Sequence, residues 1–328
     1  MAALLKQLRT RLARGFVLAF HDIEPDRLAE LIDSIQPAEV VPLTELVNRS
    51  KQGKSTSGLF AITVDDGVGE TVRGLSKLFL ARGWPGTFYI CTSYVESQQA
   101  MPFQWWRKIM PLLPSKKLEL SNGTMDLSRP AAIQELARHL ESQWHSQRME
   151  TYLLLTRELT DLVVRERGIS KDSIQPQRSI TWPEVAELSR NDLISFESHG
   201  VSHAAMSTLT PDELRFEMQE SRDEISEHTG RPCRHLAYPF GSDQSIGARA
   251  ATVAQSFYDS ASTMSLGSVD AANPWLLPRI PLYPENPIWY AKLKILLTCN
   301  RLNVRSVSEA RTSPLETGAA TSAGHSSI

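Results

Sequence analysis

Short apolar runs alternate with amphipathic stretches along most of the chain. Phe16-Val17-Leu18-Ala19-Phe20 reads as a first strand, and Pro25 opens a helix with Leu28, Leu31, Ile32 and Ile35 on one side. Glu39-Val40-Val41 predicts a short strand, followed by a small helix over Leu43 to Val47. After the polar loop from Asn48 to Gly58 comes the apolar, β-branched run Leu59-Phe60-Ala61-Ile62-Thr63-Val64. The next helix carries Val72, Leu75, Leu78 and Phe79 inward and is stopped by Gly83, and Gly86 to Cys91 is another strand. Such strand–helix–strand alternation predicts an α/β domain with parallel pairing.

The rhythm breaks between about 95 and 177. Phe103-Gln104-Trp105-Trp106 is an aromatic cluster, and two helical stretches follow, over 130–148 and 150–167. This predicts a helical insertion over one face of the core. The aromatics either stack on a sugar ring or anchor the insertion to the domain. The alternation resumes with Thr181-Trp182-Pro183-Glu184, which has capping-box spacing, and with a strand over Leu193 to Phe196. A second capping box at Thr210 to Glu213 opens a helix with Leu214, Met218, Ser221 and Ile225 in register. A strand leading into a tight turn is expected over His235 to Gly241, and a helix over Ala248 to Ala254. Further strands are expected at Ser260 to Thr263 and Leu276 to Leu282, with an amphipathic helix from Ile288 to Leu297. From 304 to 328 the chain is rich in Ser, Thr, Ala and Gly, which predicts a disordered tail.

Composition narrows the class. With 328 residues, 41% of them hydrophobic, there is enough apolar material for a sizeable core. A formal net charge of -2 gives no global drive toward nucleic acid, and none is expected as a partner. Three scattered cysteines, Cys91, Cys233 and Cys299, fit neither a disulfide framework nor a zinc ribbon. Lys6, Arg9, Arg11 and Arg14 are followed by no apolar signal core, and no run is long enough to cross a membrane, so a cytoplasmic location is expected. Leu5, Leu8 and Leu12 share a face of a basic helix over 1–15. That helix is expected to pack on the domain and offers a peripheral membrane contact.

Chemistry concentrates at strand ends. The run 59–64 finishes in Asp65-Asp66-Gly67, and an ionised acid is costly to bury unless something pairs with it. Read alone, the triplet is a common Asp-Gly turn. His199 and His203, four apart just past another strand, can turn both imidazoles to one point. Two histidines and a carboxylate make a metal site with open positions for water and substrate, whereas a histidine pair alone is often two polar loop residues.

Asp65-Asp66-Gly67 resembles the first motif of the polysaccharide deacetylases (the NodB-homology family, carbohydrate esterase family 4). His199-Gly200-Val201-Ser202-His203 resembles the second, and Ala237-Tyr238-Pro239-Phe240-Gly241 the third. The similarity spans roughly residues 16 to 283. It implies a distorted (β/α) barrel of about seven strands, occupying 16–303 with the insertion included, and a site at the C-terminal strand ends. It also implies that Asp66, His199 and His203 hold a divalent metal, zinc or else Co2+, Mn2+ or Ni2+. Asp65 would be the general base, and the backbone N–H of Phe240 the oxyanion donor.

Two departures stand out. The family's base-orienting arginine falls on Ala237, so Arg279, at the end of the last strand, is the expected substitute. Arg234 is the weaker alternative, with a surface charge as its plain reading. The family's late histidine, the general acid, has no counterpart before His325, and His21 on the first strand's rim is the expected donor unless it is a core histidine. The implied activity is metal-dependent removal of N-acetyl groups from an amino sugar in a glycan or glycan precursor. The alternatives are a non-catalytic glycan-binding relative and a non-haem iron oxygenase on an antiparallel double sheet.

Overall fold

The computed structural model describes residues 12–120, 123–129, 131–132, 135–136, 149–269 and 273–300. Most of the expected basic helix over 1–15, almost all of the helix expected over 130–148 and the tail from 304 lie outside the described residues.

Seven parallel strands close into a barrel. In chain order they are β1 (Phe16–Phe20), β3 (Leu59–Val64), β4 (Gly86–Ile90), β7 (Ile194–Ser198), β8 (His235–Ala237), β9 (Ser260–Leu266) and β10 (Leu277–Pro281). Around the wall the order is β1-β10-β9-β8-β7-β4-β3, and β3 pairs back onto β1 along five residues, from Phe16↔Phe60 to Phe20↔Val64. The two-residue β2 (Glu39–Val40) hangs on β3 outside the ring. This is the distorted (β/α) barrel of about seven strands that the sequence led us to expect. The antiparallel double sheet of the oxygenase alternative is not what the chain forms.

Strand periodicity explains why every residue of β1 is buried. Parallel strands covered on both faces read as unbroken apolar runs. On β1, Phe16, Leu18 and Phe20 belong to the large core shared with the surrounding helices, while Val17 belongs to a smaller core inside the barrel. Likewise Phe60, Ile62 and Val64 of β3 face outward, and Ala61 joins Val17, Tyr89, Ala237 and Leu277 inside. Leu43, Leu46 and Val47 of the helix Leu43–Lys51 belong to that inner core too.

The outer helices form where the apolar stripes predicted them. Pro25–Ser34 buries Leu28, Leu31 and Ile32, and Gly69–Arg82 buries Val72, Leu75 and Phe79. The latter stops at Gly83, whose φ of 65° is the left-handed cap that glycine adopts without steric cost. Both predicted capping boxes are present, Thr181 with Glu184 and Thr210 with Glu213. A third, Ser242 with Ser245, opens the helix Asp243–Ala254 five residues earlier than the apolar pattern suggested.

The segment from 95 to 177 is less purely helical than expected. Thr92–Ser97, Pro102–Ile109 and Met149–Arg167 are helices, but a β-hairpin lies between them, β5 (Lys117–Leu120) paired antiparallel with β6 (Gly123–Asp126). Only Leu118 of β5 is buried, so the strand had too little apolar signal to be read. A separate apolar core unites Met101, Trp106, Ile109, Leu118, Leu155 and Leu159. Trp106, 8% exposed, is therefore an anchor of this region, the second of its two sequence readings.

Candidate active site

Strand alternation places Ala61, Thr63 and Asp65 on the inner wall of β3. Continued alternation would send Asp66 outward. Instead Asp66 has a φ of 74° and Gly67 of 65°, so the chain curls at the strand end. Aspartate tolerates this left-handed region better than most residues, and the Asp-Gly pair suits it. Both carboxylates consequently serve the barrel mouth, in opposite environments.

Asp65 faces a cation. Arg279 of β10, fully buried, donates from Nη1 and Nη2 to its two carboxylate oxygens, each at 2.7 Å. The guanidinium is held in turn by the Thr263 carbonyl (3.0 Å from Nε), the Thr63 hydroxyl (3.2 Å from Nη1) and the Met264 sulfur (3.3 Å from Nη2). Its carbon lies 5.6 Å from the centre of the Tyr89 ring. Burial alone would raise the Asp65 pKa, but the guanidinium outweighs it and holds the carboxyl below its ordinary value. The arginine expected from sequence to replace the family's base-orienting residue is thus in contact with Asp65. Arg234 is not: it pairs with Asp259 on the surface, 3.2 Å away.

Asp66 faces two imidazoles. Its Oδ1 lies 3.5 Å from Nε2 of His199 and 3.5 Å from Nε2 of His203, and all three side chains are buried. Oδ1 has no hydrogen-bond partner although no solvent reaches it. Burial opposes ionisation of Asp66, yet His21 and the two histidines bring its pKa well below the usual carboxylate range. His199 has its Nδ1 2.7 Å from the Ala237 carbonyl; donation there fixes the tautomer that leaves Nε2 with a lone pair toward Asp66. The three ligand atoms lie within 4.8 Å of one another. Ligand bonds of about 2.1 Å at tetrahedral angles separate donors by about 3.4 Å, so the observed spacing and the orphaned oxygen both fit a divalent ion.

The remaining expected residues share this rim. His21, just past β1, is partly exposed with Nε2 3.9 Å from Asp65 Oδ2. Phe240 has a φ of 62° and sets its ring edge-on against His203, with centroids 4.7 Å apart. The same ring packs on the core of the 95–177 segment. One participant escaped the sequence reading. Glu217, in the helix Pro211–Thr229, accepts hydrogen bonds from the Val201 and Ser202 backbone N–H groups at 2.7 and 3.0 Å. Its signal was an acid sitting three residues beyond Leu214 on the stripe otherwise occupied by Leu214, Met218, Ser221 and Ile225.

With this geometry established, comparison with known proteins identifies the class. The family model for polysaccharide deacetylase matches residues 52–257, and the chain belongs to that family. Among solved structures, the Streptococcus pyogenes deacetylase PplD, crystallised with acetate, aligns with a TM-score of 0.55 at 14% identity. That alignment covers 86% of this chain and 98% of the other. The BpsB deacetylase domain of Bordetella bronchiseptica aligns at 0.53 and 14% identity over 83% and 96%. IcaB of Ammonifex degensii aligns at 0.51 and 11% identity over 88% and 97%. At such identities these likenesses establish a shared fold. No curated protein matches the chain in sequence.

Proposed function

We propose that the protein is a metal-dependent hydrolase that removes N-acetyl groups from an acetylated amino sugar, releasing acetate and a free amine. The observation that carries this reading is the buried Asp66 oxygen with no hydrogen-bond partner, 3.5 Å from two imidazole nitrogens, beside a second carboxylate clamped by an arginine. Asp66, His199 and His203 would hold the ion. When bound, a divalent ion supplies Lewis-acid activation of a water and of the amide carbonyl.

The chain's own residues supply the rest. Asp65, kept ionised by Arg279, accepts the proton of the attacking water at a carboxylate oxygen. Arg279 fixes the plane of that carboxylate through two parallel hydrogen bonds, a fork geometry that lysine does not reproduce. The Phe240 backbone N–H is the donor assigned to charge developing on the former carbonyl oxygen. His21, partly solvent-exposed on the same rim, delivers a proton to the departing amine nitrogen. A non-catalytic glycan binder has no physical need for a buried arginine holding Asp65, so the enzyme reading is favoured.

Metal analysis of the purified protein, combined with acetate release from N-acetylglucosamine oligomers and lipid-linked amino sugars, tests the proposal. Bound metal and metal-dependent acetate release are expected. In the same assay His21→Gln should lower turnover about a hundredfold, the usual worth of a positioned acid. Wild-type turnover in that variant removes His21 from the mechanism, and a protein that takes up no divalent metal overturns the whole reading.

A further inference from the structure

We propose that Glu217 is a positioning residue for the metal centre: its carboxylate clamps the loop between His199 and His203 and so sets how the two imidazoles meet an ion. The inference rests on the metal-centre reading above.

Between the two histidines the chain makes no regular structure. Gly200 has a φ of 81° and His203 of 61°, so its backbone groups have no ladder of their own to join. Buried backbone groups must still find partners. The carbonyl side is met by the helix Thr92–Ser97 that follows β4. Thr92 N–H donates to the Gly200 carbonyl at 3.3 Å, and Ser93 donates to the Val201 carbonyl from N at 3.1 Å and from Oγ at 2.7 Å. On the N–H side, Glu217 serves two successive groups. Its Oε2 accepts from Val201 and Ser202, at 2.7 and 3.0 Å, and its Oε1 accepts the Ser202 hydroxyl.

The same helix holds the segment one turn further along. Ser221 Oγ lies 2.7 Å from Ser198 Oγ, the last residue of β7 before His199, and Ser198 Oγ accepts from the Gly200 N–H at 3.1 Å. The loop is therefore pinned from one helix at both of its ends. It is also pressed down on the clamp, because a Cβ at Gly200 would lie 2.9 Å from Glu217 Oε2. Glycine alone meets both the left-handed backbone and this approach.

The three hydrogen bonds to Glu217 fall on Val201 and Ser202, the residues immediately before His203. Releasing them frees the arc that carries His203, while His199 keeps its anchors to β7 and to the Ala237 carbonyl. Partners of this kind behind a metal ligand are worth about 10- to 100-fold in metal affinity.

The test is the Zn2+ dissociation constant of full-length wild type, Glu217→Ala, Glu217→Asp and Glu217→Gln, measured by chelator competition well below each variant's unfolding temperature. Removing the carboxylate (Ala) or withdrawing it by one methylene (Asp) should weaken Zn2+ about 10- to 100-fold. Gln, whose amide oxygen still accepts both N–H groups, should stay within about threefold of wild type. Rescue by Gln distinguishes loop positioning from a general loss of stability. If Ala does not fold, Asp carries the same prediction. Wild-type affinity in a folded Ala or Asp variant overturns the inference, as does a Gln variant as weak as either. A wild-type protein that binds no Zn2+ overturns the metal-centre reading instead, so the two failures are separable.

Discussion

The barrel and the 95–177 segment are both built on buried side chains, but they bury different things. Inside the barrel and at its mouth lie Asp65, Asp66, Glu197, His199, His203, His235 and Arg279, each under 5% exposed. Among the described residues of the 95–177 segment no charged side chain is buried; its core is Met101, Trp106, Ile109, Leu113, Leu155 and Leu159 with a few polar neighbours. Buried ionisable groups are tolerated only where each is matched by a partner or an ion, or is kept neutral by its burial, so the barrel sacrifices apolar packing for a preset array of polar and charged groups. The insertion has no such constraint and behaves as ordinary apolar core. The two meet at Phe240, which sets its ring edge-on against His203 and packs against the insertion core. Packing in the insertion can therefore be perturbed without disturbing the chemistry at the barrel mouth.

The largest separation should come from Asp66→Ala. On the proposed metal-centre reading, losing the ion's contribution of several kcal/mol to the transition state predicts at least about a thousandfold drop in acetate release, with little change in the unfolding midpoint of the metal-free protein. Kinetics and thermal unfolding on the same preparation check it. Arg279→Ala comes next. It strands the buried Asp65 carboxylate and should cost about 3–5 kcal/mol of stability by urea titration, while Arg279→Lys restores the charge but not the two-pronged geometry.

On the insertion side, Leu159→Ala opens a cavity at a fully buried position and should cost about 3 kcal/mol. Zinc affinity should remain at the wild-type value; a parallel loss of affinity would break the comparison.

The mildest effect is a pH slope. His235 sits inside the barrel between the Ser260 and Thr44 hydroxyls, each 2.8 Å from a ring nitrogen, and burial drives its pKa down to about 4. Between pH 6.5 and 4 the unfolded chain binds this proton and the folded chain does not. The stability His235 contributes is thus present above pH 6.5 and is lost as pH falls through 4. The slope is at most about 1.4 kcal/mol per pH unit. His235→Gln should flatten that part of the stability–pH curve relative to wild type.

Much of the molecule was legible along the chain. The strands of the wall announced themselves because parallel strands buried on both faces must be apolar almost throughout. Helix ends were marked by Thr181, Thr210 and Gly83, whose capping chemistry is local. The acid pair and the histidine pair were visible as polar residues ending apolar runs. The hairpin at 117–126 was not, because a strand with one buried residue carries almost no periodic signal. Glu217 was hidden for the opposite reason: its position on the helix stripe was readable, but its partners are backbone N–H groups in a loop formed by another part of the chain.

What the sequence settled alone is where the wall strands and their helices lie and which strand ends carry titratable groups; the count of about seven strands came from the family resemblance. Local patterning is enough for that placement, since burial and capping act over a few residues. The family resemblance alone implied different jobs for Asp65 and Asp66; only the tertiary structure supplies the physical cause, two opposite surroundings for adjacent carboxylates. Closing β1 onto β3 brings β10 and its Arg279 to Asp65, while the left-handed backbone at Asp66 turns the neighbouring carboxylate to the histidines of β7's loop. Neighbours in sequence thus acquire opposite environments because charge is set by what is near in space, at distances of 2.7 and 3.5 Å, across more than a hundred residues of chain.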